Sequence, residues 1–484
     1  MSVFEIGEAS HPVYKIEEFA LSLLALNLQR HKEWAMAKEK AKIEGRKLKV
    51  INRLAAGIDI GARSIFVAIP PSCAEPTVRE FSTFTDDLHS LADWLKSCRV
   101  TTVAMEATGI YWIPLFEVLE LKGFEVILAN ARHVKNVPGR KSDILDCQWI
   151  QRLHSYGLLA ASFRPGPGVA TLRAYVRQRG TLVRYCSSHI QHMQKALGQM
   201  NILLHQVVSS IVGQTGLNII HAILAGERDP QKLATLRHER CKRNEEEIAR
   251  ALYGNYRPEH LLQLKQAVRG YEFYQAEILE CEQAISHQLE LLMKESDAGL
   301  DQDGGYSSSG ALTREEALEK ICGVDLTKIE GISQLSALAI LAEIGTDMSR
   351  WKSAKHFASW LGLCPGIKKS GGRLISGASR KVSNRAAVSL RMSAYCLSRS
   401  KSALGGFFRR LKSRIGTPKA ITATAHKLAR LVYTLLKHGL EYVQAGQELY
   451  EKQFQARKLR TLHNNAKSMG FVLVPAESTT VCSL

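Results

Sequence analysis

Lys141-Ser142-Asp143-Ile144-Leu145-Asp146-Cys147-Gln148-Trp149-Ile150 decides how this chain is read. Two aspartates stand three residues apart. On a helix that spacing sets both carboxylates on one face, about one turn apart. Like charges so close repel, and gain little either as core or as surface. A divalent cation between them removes the repulsion. Two earlier acids complete the set: Asp59 in Gly57-Ile58-Asp59-Ile60-Gly61, and Glu106 in Ala104-Met105-Glu106-Ala107-Thr108-Gly109. Four carboxylates suit the hard, oxygen-preferring ions Mg²⁺ or Mn²⁺. Such ions stabilise the attacking and leaving oxygens of a phosphoryl transfer. The pattern therefore reads as a metal site for phosphodiester chemistry.

Each acid taken singly has an ordinary explanation. Asp59 at a strand end could be a turn residue. Asp143 and Asp146 could form an exposed helix face, with Lys141 and Arg152 nearby. Glu106 is harder to dismiss, because it ends an apolar strand and a buried carboxylate is costly without a partner. It is the set that carries the reading, with each acid on the kind of element that a sheet-edge site needs.

The elements around these acids alternate. Residues 55–61 and 64–69 read as two short strands joined by a glycine-containing turn, closed by Pro70-Pro71. Residues 81–84 read as a third strand. Thr85 reads as the cap of a helix through Lys96, with Asp86 and Asp87 in its first turn. Residues 100–106 form a strand, 108–121 a helix, 124–130 a further strand, and the helix with the paired aspartates follows. This is an α/β domain with a mixed sheet over residues 51–166, whose strand-end acids converge at one edge. Residues 1–50 read as a helical arm ending in the basic run Arg46-Lys47-Leu48-Lys49.

Residues 167–300 change texture. Long polar helical stretches over 169–208 and 233–293 carry apolar residues at heptad-like intervals, including Leu261, Leu264, Val268, Tyr271, Ile278 and Leu289. A helical hairpin or coiled coil fits, spacing two domains and offering a surface for self-association. Residues 301–312, within a stretch rich in Gly, Ser and Asp, read as a linker. A mainly helical domain follows over 313–445, with a tail over 446–484. Its first part, residues 329–345, reads as helix, glycine turn, helix. That is either an ordinary αα-hairpin or a helix-hairpin-helix whose backbone N–H groups approach a DNA phosphate.

Charge narrows the partner. Among 484 residues the formal net charge is +19, which favours a polyanion, nucleic acid first and an anionic membrane surface second. Between residues 350 and 440 there are twenty Lys or Arg and not one Asp or Glu. A solvated surface mixes both signs, so contact with phosphates explains this stretch better. Lys368, Lys369, Arg373, Arg380, Lys381 and Arg385 are its nucleic-acid candidates. Ser370, between Lys369 and Gly371-Gly372, is placed to meet a phosphate. A nucleophilic serine needs an activator, and no nearby His or Asp stands out, so the spacing alone reads as a phosphate-binding loop.

No apolar run near the N-terminus is long enough to span a bilayer, and Glu17 and Glu18 stand where a signal peptide carries positive charge. Ten scattered cysteines without a C-x-x-C pair argue against a zinc ribbon and a disulfide framework. The expected setting is a reducing cytoplasm. No G-x-x-x-x-G-K-[ST] loop is present.

The sequence resembles the IS110/IS1111 family of insertion-sequence transposases, also called DEDD transposases. Gly57–Gly61, Met105–Trp112 and Lys141–Asp146 are similar to its N-terminal block. Residues 329–345, Trp360–Pro365 and Lys369–Gly372 are similar to its C-terminal block. The resemblance implies a RuvC/RNase H-like fold for the first block, with Asp59, Glu106, Asp143 and Asp146 as metal ligands. It carries the family's catalytic serine to Ser370, reversing the reading from spacing. Lys369 departs from the small polar residue of many relatives, and Ser376 or Ser379 is the fallback nucleophile. The resemblance further implies a bridge RNA as guide, a homo-oligomer (dimer or tetramer) on DNA, and a bacterial, nucleoid-associated location. The competing readings are a RuvC-like structure-specific endonuclease using metal-activated water, and a non-catalytic nucleic-acid-binding protein.

Overall fold

The computed structural model describes residues 49–107, 109–130, 142–297, 313–380, 382 and 384–473. Residues 1–48 of the helical arm expected over 1–50, and the linker expected over 301–312, lie outside the described residues, as do Lys141, Thr108 and Lys381. The chain divides at 163/164 into two compact units.

The first unit is a mixed five-stranded sheet in the order β3-β2-β1-β4-β5. Its strands are β1 (Ala55–Ile60), β2 (Ser64–Ala68), β3 (Val78–Ser82), β4 (Thr102–Glu106) and β5 (Glu125–Ala129). Strands β1, β2 and β3 pair antiparallel, while β4 joins β1 and β5 joins β4 in parallel. The parallel crossovers run through helices α1 (Thr85–Ser97) and α2 (Trp112–Leu121), and α3 (Asp143–Ser155) follows β5.

Side-chain size along the strands explains the layering. Ile58, Ile60, Val103 and Met105 point to one face and form the main core with Leu88, Leu91 and Leu95 of α1 and Leu115 and Leu119 of α2. Ala55, Gly57 and Ala104 alternate onto the other face, where α3 lies. Gly57 is what permits that contact. A Cβ there would stand 2.0 Å from the Gln151 backbone nitrogen and 2.5 Å from the Cys147 carbonyl oxygen.

Three boundaries differ from the sequence reading. β3 begins at Val78 rather than Phe81 and carries polar Arg79 and Glu80, because it is the sheet's edge strand. Phe84, not Thr85, occupies the N-cap of α1, and no side-chain oxygen caps that helix. Helix α2 begins at Trp112, after a turn at Gly109 with φ of +55°.

The second unit is built on two long helices, α4 (Pro167–Gln199) and, after four short helices, α9 (Pro258–Asp297). They run antiparallel. Gln288 donates to the Gly168 carbonyl, Gln275 reaches Cys186, and the Gly270 position abuts His189. The hairpin reading holds, but residues 233–293 are not one helix. Helices α5 (Leu204–Val207), α6 (Gln214–Ala225), α7 (Pro230–Ala234) and α8 (Glu245–Leu252) close the hairpin's far end over a small core that includes Met193, Ile220, Leu252 and Leu264. Asn244 starts α8 by accepting from the Glu247 N–H, and Pro258 starts α9.

Near its other end the hairpin holds α10 (Arg314–Cys322) and α11 (Gln334–Ile344). Arg177 grips the buried Glu343 carboxylate through two 2.8 Å hydrogen bonds, and Arg173 donates to the Ala342 and Glu343 carbonyls at 3.0 and 2.7 Å. Glu282 accepts from both Arg179 and Arg314. Beyond α11 come α12 (Ala354–Trp360), strands β6 (Lys368–Ser370) and β7 (Arg373–Ser376), and helices α13 (Arg385–Cys396), α14 (Ala403–Ile415), α15 (Thr417–His438) and α16 (Leu440–Ser468). Helix α15 is the axis of this group: Tyr433 lies among Trp351, Phe357 and Trp360 and donates to the Trp351 carbonyl at 2.9 Å. Among the described residues no helix is long and apolar enough to cross a membrane.

Candidate functional site

Three of the four acids sit where short elements end or begin. Asp59 is the fifth of six residues in β1, Glu106 is the last of β4, and Asp143 is the first of α3. The parallel register pairs Ile58 with Met105, so Asp59 and Glu106 stand at adjoining positions of neighbouring strands. Both alternate onto the face covered by α3. That helix runs against β1, with Cys147 and Gln151 beside Gly57, so its N-terminus lies toward Asp59.

Ser142 is the N-cap of α3 and accepts from the Leu145 N–H at 3.4 Å. Asp143 and Asp146 therefore fall in the first turn, where the helix dipole stabilises each carboxylate by about 0.3–1 kcal/mol. The electrostatics record the convergence. The Asp59 carboxyl is pushed up to about 6, first by burial, then by Asp143, Asp146 and Glu106, with the Ile60 backbone N–H pulling it back. Burial, with the Asp59 charge adding to it, also pushes the neighbouring Cys147 thiol up to about 12, leaving it an inert packing residue. Glu106 is itself buried.

The donor chemistry is that of a hard divalent cation, four carboxylates and no sulfur or imidazole. Among the described residues, no three of the His, Cys, Asp and Glu side chains are drawn together tightly enough to hold an ion. The fold brings the four acids within mutual repulsion at one sheet edge without closing them into a cage.

Ser370 belongs to the second unit. It is the last residue of β6, paired with Arg373 across a two-residue turn, rather than part of an open loop. Gly371 and Gly372 have φ of +54° and +77°, as a two-residue turn of type I′ requires. The serine is exposed, and among the described residues its hydroxyl has no hydrogen-bond partner. Ser376 accepts from the Ala378 N–H, and Ser379 pairs with Pro365 in an isolated bridge.

The basic candidates divide. Lys369 and Arg373 flank Ser370 and are exposed. Arg380 donates to the Ser359 carbonyl at 2.6 Å, which ties the segment after the hairpin to α12. Arg385 begins α13, and its guanidinium is held below its usual range by burial and then by Arg177. Lys368 lies in β6. Gly331, in the turn before α11, has φ of +88°, and a Cβ there would press at 3.0 Å on Leu397 and the Ser393 carbonyl. This turn is closely packed against the end of α13.

Two residues that sequence reasoning passed over shape the acid site: Gly57, which lets α3 approach, and Ser142, which starts it. The alternation of Ala55, Gly57 and Ala104 was the available signal for the first.

Family comparisons give the same division. A model described as a transposase, of the DEDD IS110 type, matches residues 56–202, a span containing all four acids. A second, described as the transposase IS116/IS110/IS902 family, matches residues 325–408, which contain Ser370 and much of the basic stretch. No curated protein matches the chain. The match to a DEDD transposase model suggests a DNA substrate and dependence on a divalent metal. With both models matched in order, one on each of the two candidate sites, the chain carries two regions similar to IS110-type transposases, which support an enzyme of DNA transposition.

Proposed function

We propose that the chain cuts and rejoins the DNA of an insertion sequence through the acid edge of its first unit and Ser370 of its second. The observation that carries this reading is the convergence of Asp59, Glu106, Asp143 and Asp146, the last three adding to burial in holding Asp59 near 6. In this reading the sheet is RuvC/RNase H-like, and its three antiparallel strands followed by two parallel ones support that assignment.

Asp59, Glu106, Asp143 and Asp146 would hold Mg²⁺ or Mn²⁺. A bound ion supplies positive charge to the phosphorane and its leaving oxygen. The Ser370 oxygen forms a bond to phosphorus and loses its proton. The bond from phosphorus to the leaving deoxyribose oxygen breaks, and that oxygen is protonated. Rejoining reverses the exchange, so the phosphoester energy is kept and no ATP is consumed. Exposure at a hairpin tip lets Ser370 reach a backbone phosphate, and Lys369 and Arg373 neutralise its charge. Lys368, Arg380, Lys381 and Arg385 belong to the same basic stretch. Site choice by a bridge RNA, with assembly as a homo-oligomer, completes the reading, because a protein so guided need read little beyond backbone and shape.

One observation favours a second reading. Among the described residues Ser370 has no hydrogen-bonded base, and a structure-specific endonuclease using metal-activated water needs none. A denaturing gel separates the two. Purified protein is incubated with its element-end DNA, RNA transcribed from the flanking non-coding segment, and Mg²⁺. A protein–DNA adduct that vanishes in Ser370→Ala is expected. Free cut DNA, unchanged by Ser370→Ala and lost in Asp59→Ala, would leave a nuclease.

A further inference from the structure

The sheet edge opposite the acids carries an open cleft of about 660 Å³. Three segments meet there: residues 49–53 before β1, the Pro70-Pro71-Ser72 turn after β2, and the C-terminal turn of α3. The first is pinned to the third, since Ile51 and Asn52 donate their N–H groups to the Ser155 carbonyl at 2.9 and 3.0 Å. Lys49, Arg53 and Arg152 line the cleft, with no acid among its lining residues. All three cations are exposed, and among the described residues none has an ion-pair partner. Elsewhere in this unit Lys122 is paired with Asp93 at 2.6 Å.

Helix C-terminal carbonyls attract cations, and one arginine beside them has a structural explanation. Three unpaired cations brought from two segments around a concave space do not. The cleft's volume suits a small ligand or a short single strand. Tyr156 on its wall offers a ring on which a base can stack. Four strand rises, about 13 Å, separate Ala55 at this edge from Asp59, so a phosphate held here is not the one that reacts.

We propose that this cleft binds a single nucleic-acid strand, its phosphates against Lys49, Arg53 and Arg152 and a base against Tyr156. The proposal rests on the nucleic-acid reading above but does not depend on catalysis at the acid edge.

The test is mapped photocross-linking of the full chain in EDTA. The probes are an eight-nucleotide 4-thiouridine oligoribonucleotide, the matching 4-thiothymidine oligodeoxyribonucleotide, and a duplex of the latter. Adducts on the peptide containing Tyr156 are expected with a single strand, reduced at least about tenfold with duplex and in the Arg53→Glu/Arg152→Glu double variant. The salt dependence of single-strand binding at this site should weaken by a slope of about 1.4, two lost contacts at about 0.7 each. An adduct formed by only one sugar type assigns the strand to RNA or to DNA. Adducts confined to residues 350–440, or unchanged in the double variant, overturn the proposal. Arg53→Gln/Arg152→Gln serves where charge reversal disturbs folding. Asp59→Ala should leave the adduct in place, so failure of the metal-site reading and failure of this one are distinguishable.

Discussion

Asp59→Asn should stabilise the metal-free first unit at pH 7. Its carboxyl lies near 6 in the folded chain against an ordinary 3.8. A carboxyl raised in this way binds more protons folded than unfolded between those values. Ionising it therefore removes stability as pH rises through that window, and the loss is complete at pH 7. A shift of about 2 units corresponds to roughly 3 kcal/mol. Solvent screening at this half-buried position reduces that to about 1–2 kcal/mol. Asparagine keeps the size and the acceptor toward the Ile60 N–H while losing the charge. Hydrogen exchange of the peptides covering β1 and β4 reads the opening of this unit by itself. In EDTA at pH 7 the variant should exchange about 5–30-fold more slowly than the parent. Added Mg²⁺ should slow the parent and leave the variant little changed, because a ligand is gone. Equal protection in EDTA would refute the claim that four charges are crowded here. An equal Mg²⁺ response would refute Asp59 as a ligand.

Gly57→Ala should cost roughly 3 kcal/mol or more, because the atoms in its way are backbone; proteolysis between residues 49 and 163 should accelerate accordingly. Glu343→Ala removes the buried carboxylate shared by half-buried Arg173 and exposed Arg177, and should destabilise the second unit by about 1–3 kcal/mol in thermal unfolding, with Glu343→Gln milder. Burial pushes the His154 imidazole, hydrogen-bonded to Thr102 at 2.9 Å, down to about 4. Its folded form binds fewer protons than the unfolded chain between about 4 and 6.5, so this contribution is lost as pH falls, opposite in sign to that of Asp59. Protection of β4, taken relative to the intrinsic exchange rate at each pH, should thus be nearly flat over that window in the parent, rise with pH in Asp59→Asn, and fall with pH in His154→Gln.

Much of the first unit was legible because its strands alternate. Large aliphatics against small residues in residues 55–60 and 102–106 announce a sheet covered on both faces. The edge strand escaped because Val78-Arg79-Glu80 is polar where solvent, not core, meets it. In the second unit the breaks in residues 233–293 were written in Asn244, Gly254 and Pro258, but heptad-like spacing on either side masked them. Likewise Gly371-Gly372 between two short runs is a hairpin signal, obscured by the basic residues around it. Convergence of the acids was not readable from spacing. It depends on the direction in which α3 crosses β1, which is set by a contact between residues about ninety positions apart.

The paired aspartates are in fact the weakest of the four as signs of function. Helix α3 carries acids in its first turn and Arg152 in its last, the order that the helix dipole favours in any protein. That layout alone accounts for Asp143 and Asp146. It does not account for Glu106, buried at the end of β4, or for Asp59, held half-buried at the adjoining position with its charge opposed by three others. A sheet edge built only for stability would place an apolar or neutral polar residue at either position, since the helix already supplies two negative charges there. The strand acids cost stability that the helix acids do not. Their presence beside an N-terminus already carrying two carboxylates is what favours the proposed cation site over a well-capped helix.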